Sequence, residues 1–321
     1  RQEGVMTVTI FFSLAETVLR EGFIYALMAM GVYITYKILD FPDLSVDGTF
    51  PLGACVAAAL LTFSAGRFTG VMAAVWPWLV CVIAFLAGAA AGCVTGLIHV
   101  KGRITDLLSG ILVMTAMWSI NLIITGKSAI LQFFNKPTIF NSGPVALLPK
   151  GVYAHRQLLV ALIFVVVVKL LVDWFLKTKR GMLLRAAGDN HQFVTSLAQD
   201  QGKLKILGLA IGNGCTALSG CLLAQVNESA DINSGKGMVV LALAAVIMGT
   251  SLFKRVRWMK ATTMAILGAL IYKACLQIAL QLGLPNHFLK LLMAVLLFLV
   301  LLSDRFTRKK KGGAVRHAAG N

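Results

Sequence analysis

The chain contains nine long apolar segments, and they constrain its fold more than any motif does. They cover about 22–39, 48–65, 74–98, 105–125, 157–176, 205–226, 237–252, 261–282 and 289–303. A helix needs about 20 apolar residues to cross a bilayer, and only helices or closed barrels satisfy their backbone groups there. The sequence therefore predicts an all-α integral membrane protein with about nine transmembrane or half-membrane helices, within a range of eight to ten.

The composition agrees with a membrane protein and argues against a nucleic-acid-binding protein. Hydrophobic residues make up 58% of the chain and charged residues 13%, whereas a soluble domain has about 25% charged residues. The net charge of +17 could suggest nucleic acid, but the basic residues lie in short clusters between apolar segments and form no stripe on a soluble face. We therefore expect membrane lipid as a partner, and no nucleic acid.

Charge also predicts the orientation. Basic residues concentrate in 177–205 and in the tail 304–321, and cytoplasmic loops retain such an excess. The N-terminus is then outside and the C-terminus cytoplasmic.

Segments 237–252 and 289–303 are short for a crossing, which favours weakly tilted helices or half-helices buried in protein. The segment 5–20 is short and ends in charge, so we expect a helix on the membrane surface, with a tenth crossing as the alternative.

Two segments break the helical regularity. In FPDLSVDGTFPLGA, Gly48 and Pro51 predict a helix that starts late, unwinds or kinks. In NESADINSGKGMVV, Gly235 and Gly237 precede a very short apolar helix. Irregular backbone at membrane depth is tolerated only beside protein or a water-filled cavity, and such breaks in two halves are typical of transporters. Both segments therefore indicate a translocation path, or alternatively a surface turn before a tightly packed helix.

The candidate path residues come from these segments and from two asparagines within helices. Asn121 and Asn213 can line a path or hydrogen-bond between helices. The complete set is Asp47, Gly48, Thr49, Phe50, Asn121, Asn213, Met248 and Gly249.

Three charged residues fall inside apolar segments. Lys169 and Asp173 are four residues apart, so they share a helix face and are expected to form a structural pair. Lys273 has no local acid, and it must snorkel, meet a partner on another helix or face the path. Asp43 and Asp47 are expected near the start of a span, which argues against the carboxylate at mid-membrane that an ion-coupled carrier would use.

No motif indicates an enzyme. The GxxxxGK[ST] loop for ATP and the HExxH zinc motif are both absent from the sequence. The six cysteines lie in or beside apolar segments without a CxxC pair, which indicates small buried hydrophobes rather than disulfides or metal ligands. No cofactor is expected in this chain, and energy for transport must come from a partner.

Four blocks of sequence together resemble a known family. They are REGFIYALMAMGVYITYKILDFPDLSVDGTFPLGA, KGRITDLLSGILVMTAMW, RGMLLRAAGDNHQFVTSLAQDQGKLKILGLAIGNGCTALSGCLLAQ and MVVLALAAVIMGTSL. Their order is similar to that in permease subunits of ABC importers of the branched-chain amino acid and ribose type, over most of 20–304. The block LSVDGTFPLGA resembles the subgroup that works with lipoprotein-type binding proteins, which implies tryptophan or a related aromatic amino acid as cargo.

The resemblance implies a fold, an assembly and a location. The fold is a type II-like ABC permease with broken helices, and 1–321 forms a single transmembrane permease domain. The partners implied are a second copy of the permease, two cytoplasmic ABC ATPase subunits that hold ATP and magnesium, and an extracytoplasmic substrate-binding lipoprotein. The location implied is the bacterial plasma (inner) membrane.

The resemblance also places the coupling to the ATPase in 177–205. It implies that Arg185, Gly188, Asp189 and Asn190 enter a coupling helix. A short helix framed by Gly188 and Gly202 would offer an apolar face to a groove on the ATPase. In this prediction Gly188 supplies a turn, an acidic or amide side chain caps the helix, and the apolar face carries Phe193, Val194 and Leu197. The alternative is an amphipathic helix that rests on lipid headgroups.

Other roles stay open at this point. The outer loop 126–156 contains Phe133, Phe134 and Phe140 and is long enough to receive a binding protein with its apolar residues as anchors. A lid packed on the permease would have the same sequence. An ABC permease for an amino acid is the leading function. The alternatives are an ABC permease for a sugar or nucleoside, an ion-coupled secondary transporter and a passive channel.

Overall fold

The structure is a computed structural model that describes most of the chain. It covers residues 2–64, 66–147, 149, 153, 155–189, 200–254, 256, 258–283, 285, 288–289, 291–299 and 301–302. The side chains of residues 2–11, 147 and 189 fall outside this description.

The described chain is almost entirely helical, with two short strands. Its elements are α1 (Gln2–Val32), which continues as a π-helix (Tyr33–Ile38), α2 (Val46–Ser64), α3 (Val71–Gly102), α4 (Asp106–Ile124), β1 (Ile130–Gln132), α5 (Arg156–Phe175), α6 (Lys179–Asp189), α7 (Gln201–Asn227), β2 (Ser229–Asp231), α8 (Met238–Leu252) and α9 (Ala261–Gln281). Residues 291–299 and 301–302 are also helical. Within the described residues, eight helices are long and apolar enough to cross a membrane, which confirms the all-α membrane class.

The first helix corrects the prediction for the segment 5–20. A surface helix separate from the first span was expected, but α1 runs from Gln2 to Val32 without a break. The charged residues that suggested a boundary are paired within the protein. Arg20 donates to Gln157 of α5 over 2.6 Å, and Glu21 forms an ion pair with Lys273 of α9 over 2.5 Å. Because neighbouring helices satisfy these charges, the helix does not have to end at the headgroups.

The centre of the fold is α7, which packs against α1, α2 and α3. Glycines create these contacts: a Cβ on Gly53 of α2 would collide with the carbonyl oxygen of Ala217, and one on Gly92 of α3 with that of Leu209. Small residues let helix backbones approach closely in membranes, where lipid offers no hydrophobic drive to association. The outer faces of α3, α4 and α5 carry exposed Leu, Ile and Val, as expected of surfaces that meet lipid.

The long connection between α4 and α5 is anchored to the helices. Its strand β1 pairs antiparallel with β2, with Ile130 opposite Asp231. Phe133, Ile139 and Phe140 are buried, whereas Phe134 is 56% exposed. Of the three phenylalanines in this loop, Phe133 and Phe140 therefore pack back on this chain, and Phe134 is accessible to a partner.

The two broken segments are both irregular. Residues 39–45 are non-helical, α2 begins at Val46, and it continues through Pro51. Of the three predicted possibilities, the late start is therefore the one observed. The second segment forms β2 and a 3₁₀ turn (Ile232–Gly235) before α8, which has only 15 residues and confirms the predicted short helix.

Candidate functional site

The two broken segments meet at one carboxylate. Asp47, in the first turn of α2, accepts hydrogen bonds from the backbone N–H groups of Gly237 over 3.0 Å and Val239 over 2.8 Å. These groups lie at the start of α8, where a helix leaves its first N–H groups without intrahelical partners. A negative charge is favoured there by the helix dipole. Asp47, from the first broken segment, thus caps α8, the helix that follows the second broken segment.

A buried polar network lies beside this cap. Asn213 of α7 donates to Asp43 Oδ2 over 2.6 Å and to the Leu209 carbonyl over 3.1 Å. Its Oδ1 accepts from Thr49 over 2.7 Å. Ser45 donates its hydroxyl to Asp43 Oδ1 over 2.6 Å, and its backbone N–H donates to the same oxygen over 2.9 Å. All four side chains in the network, those of Asp43, Ser45, Thr49 and Asn213, are buried.

The two acidic residues of this region lie where the sequence predicts them. Asp43 and Asp47 were expected near the start of a span, and Asp43 lies just before α2 while Asp47 lies in its first turn. Asp43 contacts Asn213, which lies near the middle of the 27-residue helix α7. Among the described residues, no basic side chain contacts Asp43. Its carboxylate is held by hydrogen bonds from neutral groups, which burial of a charge requires.

Asn121 of α4 joins the same region. Its Nδ2 donates to the Gly48 carbonyl over 3.1 Å, while its buried Oδ1 has no hydrogen-bond partner among the described residues. Gly48 packs closely against Met114 and Met117 of α4. Both asparagines therefore make hydrogen bonds between helices in this structure.

The structure brings six of the eight predicted path residues together around the start of α2. Phe50 is buried and stacks on Tyr25 of α1, with 6.3 Å between ring centroids. Met248 and Gly249 lie farther along α8, where Gly249 packs against Gly268 of α9. Sequence reasoning did not include Asp43 and Ser45 in the path set. The Asp-x-Ser spacing could have indicated them, since an aspartate commonly accepts from the backbone two residues on.

The coupling segment divides into several parts. Lys179–Asp189 forms α6, residues 190–199 lie outside the described residues, and α7 begins at Gln201. Asn190, Phe193, Val194 and Leu197 therefore lie outside the described residues, as does the side chain of Asp189. Arg185 is exposed on α6.

Two glycines of this segment differ from their predicted roles. Gly188 was expected in a turn, but it is helical and packs against the carbonyl of Ile38 at the end of the π-helix. Gly202 lies inside α7, where Asp200 caps the helix by accepting from the Gly202 N–H over 2.9 Å. Helix packing rather than a turn therefore accounts for Gly188, because no Cβ fits between the two backbones.

The intramembrane charges are paired. Asp173 accepts from Lys169 over 3.3 Å, which confirms the predicted pair, and also from Lys260 over 2.9 Å and Thr262 over 2.6 Å. Lys273 meets Glu21 of α1, one of its three predicted possibilities.

Comparison with known proteins places the chain in a family. Residues 14–301 match the family described as branched-chain amino acid transport system / permease component. The chain belongs to this family. This permease is 43% identical over 281 residues to the tyrosine transport system permease protein of Clostridioides difficile strain R20291, with 88% of each chain covered. The predicted resemblance is thus confirmed.

More distant relatives carry other names. The permease is 24% identical over 308 residues to the ribose import permease protein RbsC of Haemophilus influenzae, with 94% of this chain and 88% of the relative covered. It is 26% identical over 251 residues to the probable branched-chain amino acid transport permease protein LivH of Methanocaldococcus jannaschii, with 74% and 75% covered. No solved structure matches the chain.

Proposed function

We propose that this permease is the membrane-spanning subunit of a binding-protein-dependent ABC importer for an amino acid with an aromatic side chain. The observation that carries the proposal is its 43% identity, over 88% of both chains, to a protein named for tyrosine transport. The relative named for ribose is 24% identical. An amino acid is therefore the favoured cargo, and tyrosine is the first solute to test.

The proposed assembly contains two copies of the permease, two cytoplasmic ATPase subunits and an extracytoplasmic substrate-binding lipoprotein. ATP and magnesium bind to the ATPase subunits. The complex lies in the bacterial plasma membrane, with the N-terminus outside and the C-terminus in the cytoplasm, because the basic residues concentrate in 177–205, 254–260 and 304–321.

The packing supports a route for mechanical coupling. Gly188 of α6 contacts the Ile38 carbonyl. The chain continues from Ile38 into residues 39–45, and Asp43 in this stretch is hydrogen-bonded to Asn213. Asp47 follows and holds the start of α8. A push by the ATPase on 185–202 would reach the junction of α2 and α8 through these contacts. The candidate path residues then act as the hydrogen-bonded support of a junction that moves when the path opens.

Reconstituted transport tests the proposal. The purified permease, its ATPase and its lipoprotein are placed in vesicles, and uptake of labelled tyrosine is followed with phenylalanine, tryptophan, leucine and ribose as competitors. We expect uptake that requires ATP, is competed by the aromatic amino acids and persists when an ionophore removes ion gradients. Uptake of ribose alone, or uptake driven by a gradient without ATPase, would contradict the proposal.

The coupling residues need a separate measurement. Phe193→Asp and Leu197→Asp place charges on the face proposed to enter the ATPase groove, so both are expected to abolish co-purification of the ATPase. Phe134→Asp, on the exposed outer surface, is the matched control and should leave that complex intact. Retention of the ATPase by both coupling variants would refute the assignment of this segment.

A further inference from the structure

A basic cavity opens where four elements meet, at the end that the charge distribution assigns to the cytoplasm. It has a volume of about 570 Å³ and lies between the π-helix, the end of α5, α6 and the start of α9. Its polar lining includes Lys37, Asp173, Lys177, Arg185, Lys260 and Thr262. Four of these side chains are basic and one is acidic, so the lining carries an excess of three positive charges.

The one acidic residue in the described part of the lining is already neutralised. Asp173 is 8% exposed, and it accepts hydrogen bonds from Lys260 and Thr262 within the lining. Lys169, one turn earlier on α5, also donates to it. The Asp173 carboxylate therefore fixes the position of the Lys260 ammonium in the lining of the cavity.

Among the described residues, the other three basic side chains of the lining have no acidic partner. Lys37, Lys177 and Arg185 are exposed, and none of them forms an ion pair with an acidic side chain of the described residues. Three cations around one opening repel each other, and an anion placed between them would relieve that repulsion. The contacts needed are those of a phosphate oxygen, which accepts from Lys and Arg.

The surface beside the cavity is suited to a lipid. Leu170 lies one turn before Asp173 on α5 and is 59% exposed. Trp174 next to it is 68% exposed, and Trp is enriched at the interface between membrane and water. A molecule with a phosphate in the cavity could therefore lay its acyl chain along this apolar face.

We propose that this cavity, which we name the Lys37 cavity, binds the phosphodiester headgroup of an anionic phospholipid of the inner leaflet. Basic pockets between transmembrane helices on the cytoplasmic side are suited to such headgroups. Because Arg185 lies in the proposed coupling segment and Lys37 at the end of the first span, a bound lipid would bridge α6 to the membrane-spanning helices.

Lipid binding by the full-length permease tests this assignment. Native mass spectrometry counts phosphatidylglycerol and phosphatidylcholine molecules retained by the purified protein. The variant Lys37→Gln/Lys177→Gln removes two charges from the cavity. We expect wild type to prefer phosphatidylglycerol, and the variant to bind it about tenfold to thirtyfold more weakly, since each basic residue near an anionic lipid contributes about a factor of five.

Controls separate the possible sources of the effect. Lys101→Gln/Lys236→Gln removes two exposed charges outside the cavity and should retain the preference. An unchanged elution volume and Tm show that the cavity variant is folded. The proposal is overturned if both double variants lose lipid equally, or if glycerol phosphate or inorganic phosphate at millimolar concentration binds as well as the lipid. The proposal is also overturned if the protein shows no lipid preference and Lys177 instead cross-links to acidic residues on the surface of the ATPase. The measurement requires no transport and is independent of the cargo.

Discussion

The carboxylate of Asp47 in α2 binds the backbone of Val239 at the start of α8, with 2.8 Å between Oδ1 and N. Its second oxygen binds the N–H of Gly237. Two segments separated by about 190 positions thereby share one interaction. The buried network of Asp43 and Asn213 includes Thr49, two residues after Asp47, and the junction links the two halves of the chain.

Replacing the cap should loosen this junction. Asp47→Ala removes the acceptor of both N–H groups, and loss of a helix cap costs about 0.5–2 kcal/mol of stability. We expect a Tm lower by a few degrees and a larger loss of transport, because the start of α8 is no longer held against α2. Asp47→Asn keeps one acceptor oxygen and should fall between wild type and Asp47→Ala.

A second capping aspartate provides the comparison. Asp231 accepts from the Asn233 N–H over 2.8 Å in the turn before α8, so Asp231→Ala removes a cap and leaves both hydrogen bonds from Asp47 to α8 in place. It should reduce stability by a similar amount and leave transport closer to wild type. Equal losses of transport in the two alanine variants would argue against a special role of the α2 and α8 junction.

The buried network predicts strong coupling between two residues. Asn213→Ala leaves Oδ2 of Asp43 without its donor, while Ser45 still donates to Oδ1, and an unsatisfied buried acceptor costs about 1–3 kcal/mol. Asp43→Ala removes that acceptor, so the double variant should lose less stability than the two single variants together. A coupling free energy of about 1 kcal/mol or more is expected from thermal unfolding of all four proteins.

Ser219 serves as the reference for that cycle. Its hydroxyl donates to the Ile24 carbonyl over 2.7 Å, it lies on α7 like Asn213, and it shares no described partner with Asp43. The losses from Ser219→Ala and Asp43→Ala should therefore add. If the stability losses from the Asp43 and Asn213 variants are also additive, the hydrogen bond between these residues contributes no coupling free energy beyond their separate contacts.

The sequence predicted the helices where apolar length decides them. The segments 105–125, 157–176 and 261–282 correspond to Asp106–Ile124, Arg156–Phe175 and Ala261–Gln281 within a residue or two. This information is local, because a run of apolar residues must form a helix to satisfy its backbone in lipid. The positions of the two breaks were also predictable, since Gly and Pro mark them directly.

The contacts between distant segments could not be predicted in the same way. The continuity of α1 depends on Gln157 and Lys273, which satisfy its charges from other helices. The role of Gly188 depends on Ile38, about 150 residues earlier in the chain. Likewise, the burial of Asp43 depends on Asn213, which donates to its carboxylate from α7. In each case the partner is set by tertiary packing, which no local pattern records.

Gly188 itself gives a test of the coupling route. A Cβ at this position would collide with the Ile38 carbonyl, and overpacking of this kind costs about 1–3 kcal/mol. Gly188→Ala should shift α6 away from the first helix, so ATP hydrolysis by the complex should continue while transport per ATP falls. Coupled assays of phosphate release and uptake measure both rates.

A second glycine at a helix end is the control for this change. A Cβ at Gly102 would have its nearest contact at 3.6 Å, with Ile104, so Gly102→Ala fits without displacement. Its ratio of transport to hydrolysis should match wild type. A normal ratio in Gly188→Ala as well would show that the contact with Ile38 carries no motion.

The ion pair between α1 and α9 gives the last prediction. Lys273 and Glu21 are 2.5 Å apart, with side-chain exposures of 15% and 22%. Removal of one partner leaves the other charge largely withdrawn from water, and this can cost about 3–5 kcal/mol for a fully buried pair. Lys273→Met should therefore lower the Tm strongly.

Neutralising both residues should recover most of the stability that Lys273→Met loses. Lys273→Met/Glu21→Gln removes both charges of this pair, and replacing a buried pair by neutral groups is often close to neutral in stability. Arg20, which lies 3.8 Å from Glu21 in the wild type, keeps its hydrogen bond to Gln157 in this variant. Lys203→Met, which breaks an exposed pair with Asp200 at 3.7 Å, is the matched control and should change the Tm little. If the double variant is as unstable as Lys273→Met, the defect lies in lost side-chain packing around Tyr25, over whose ring the Lys273 ammonium sits at 5.4 Å, and not in an unpaired Glu21.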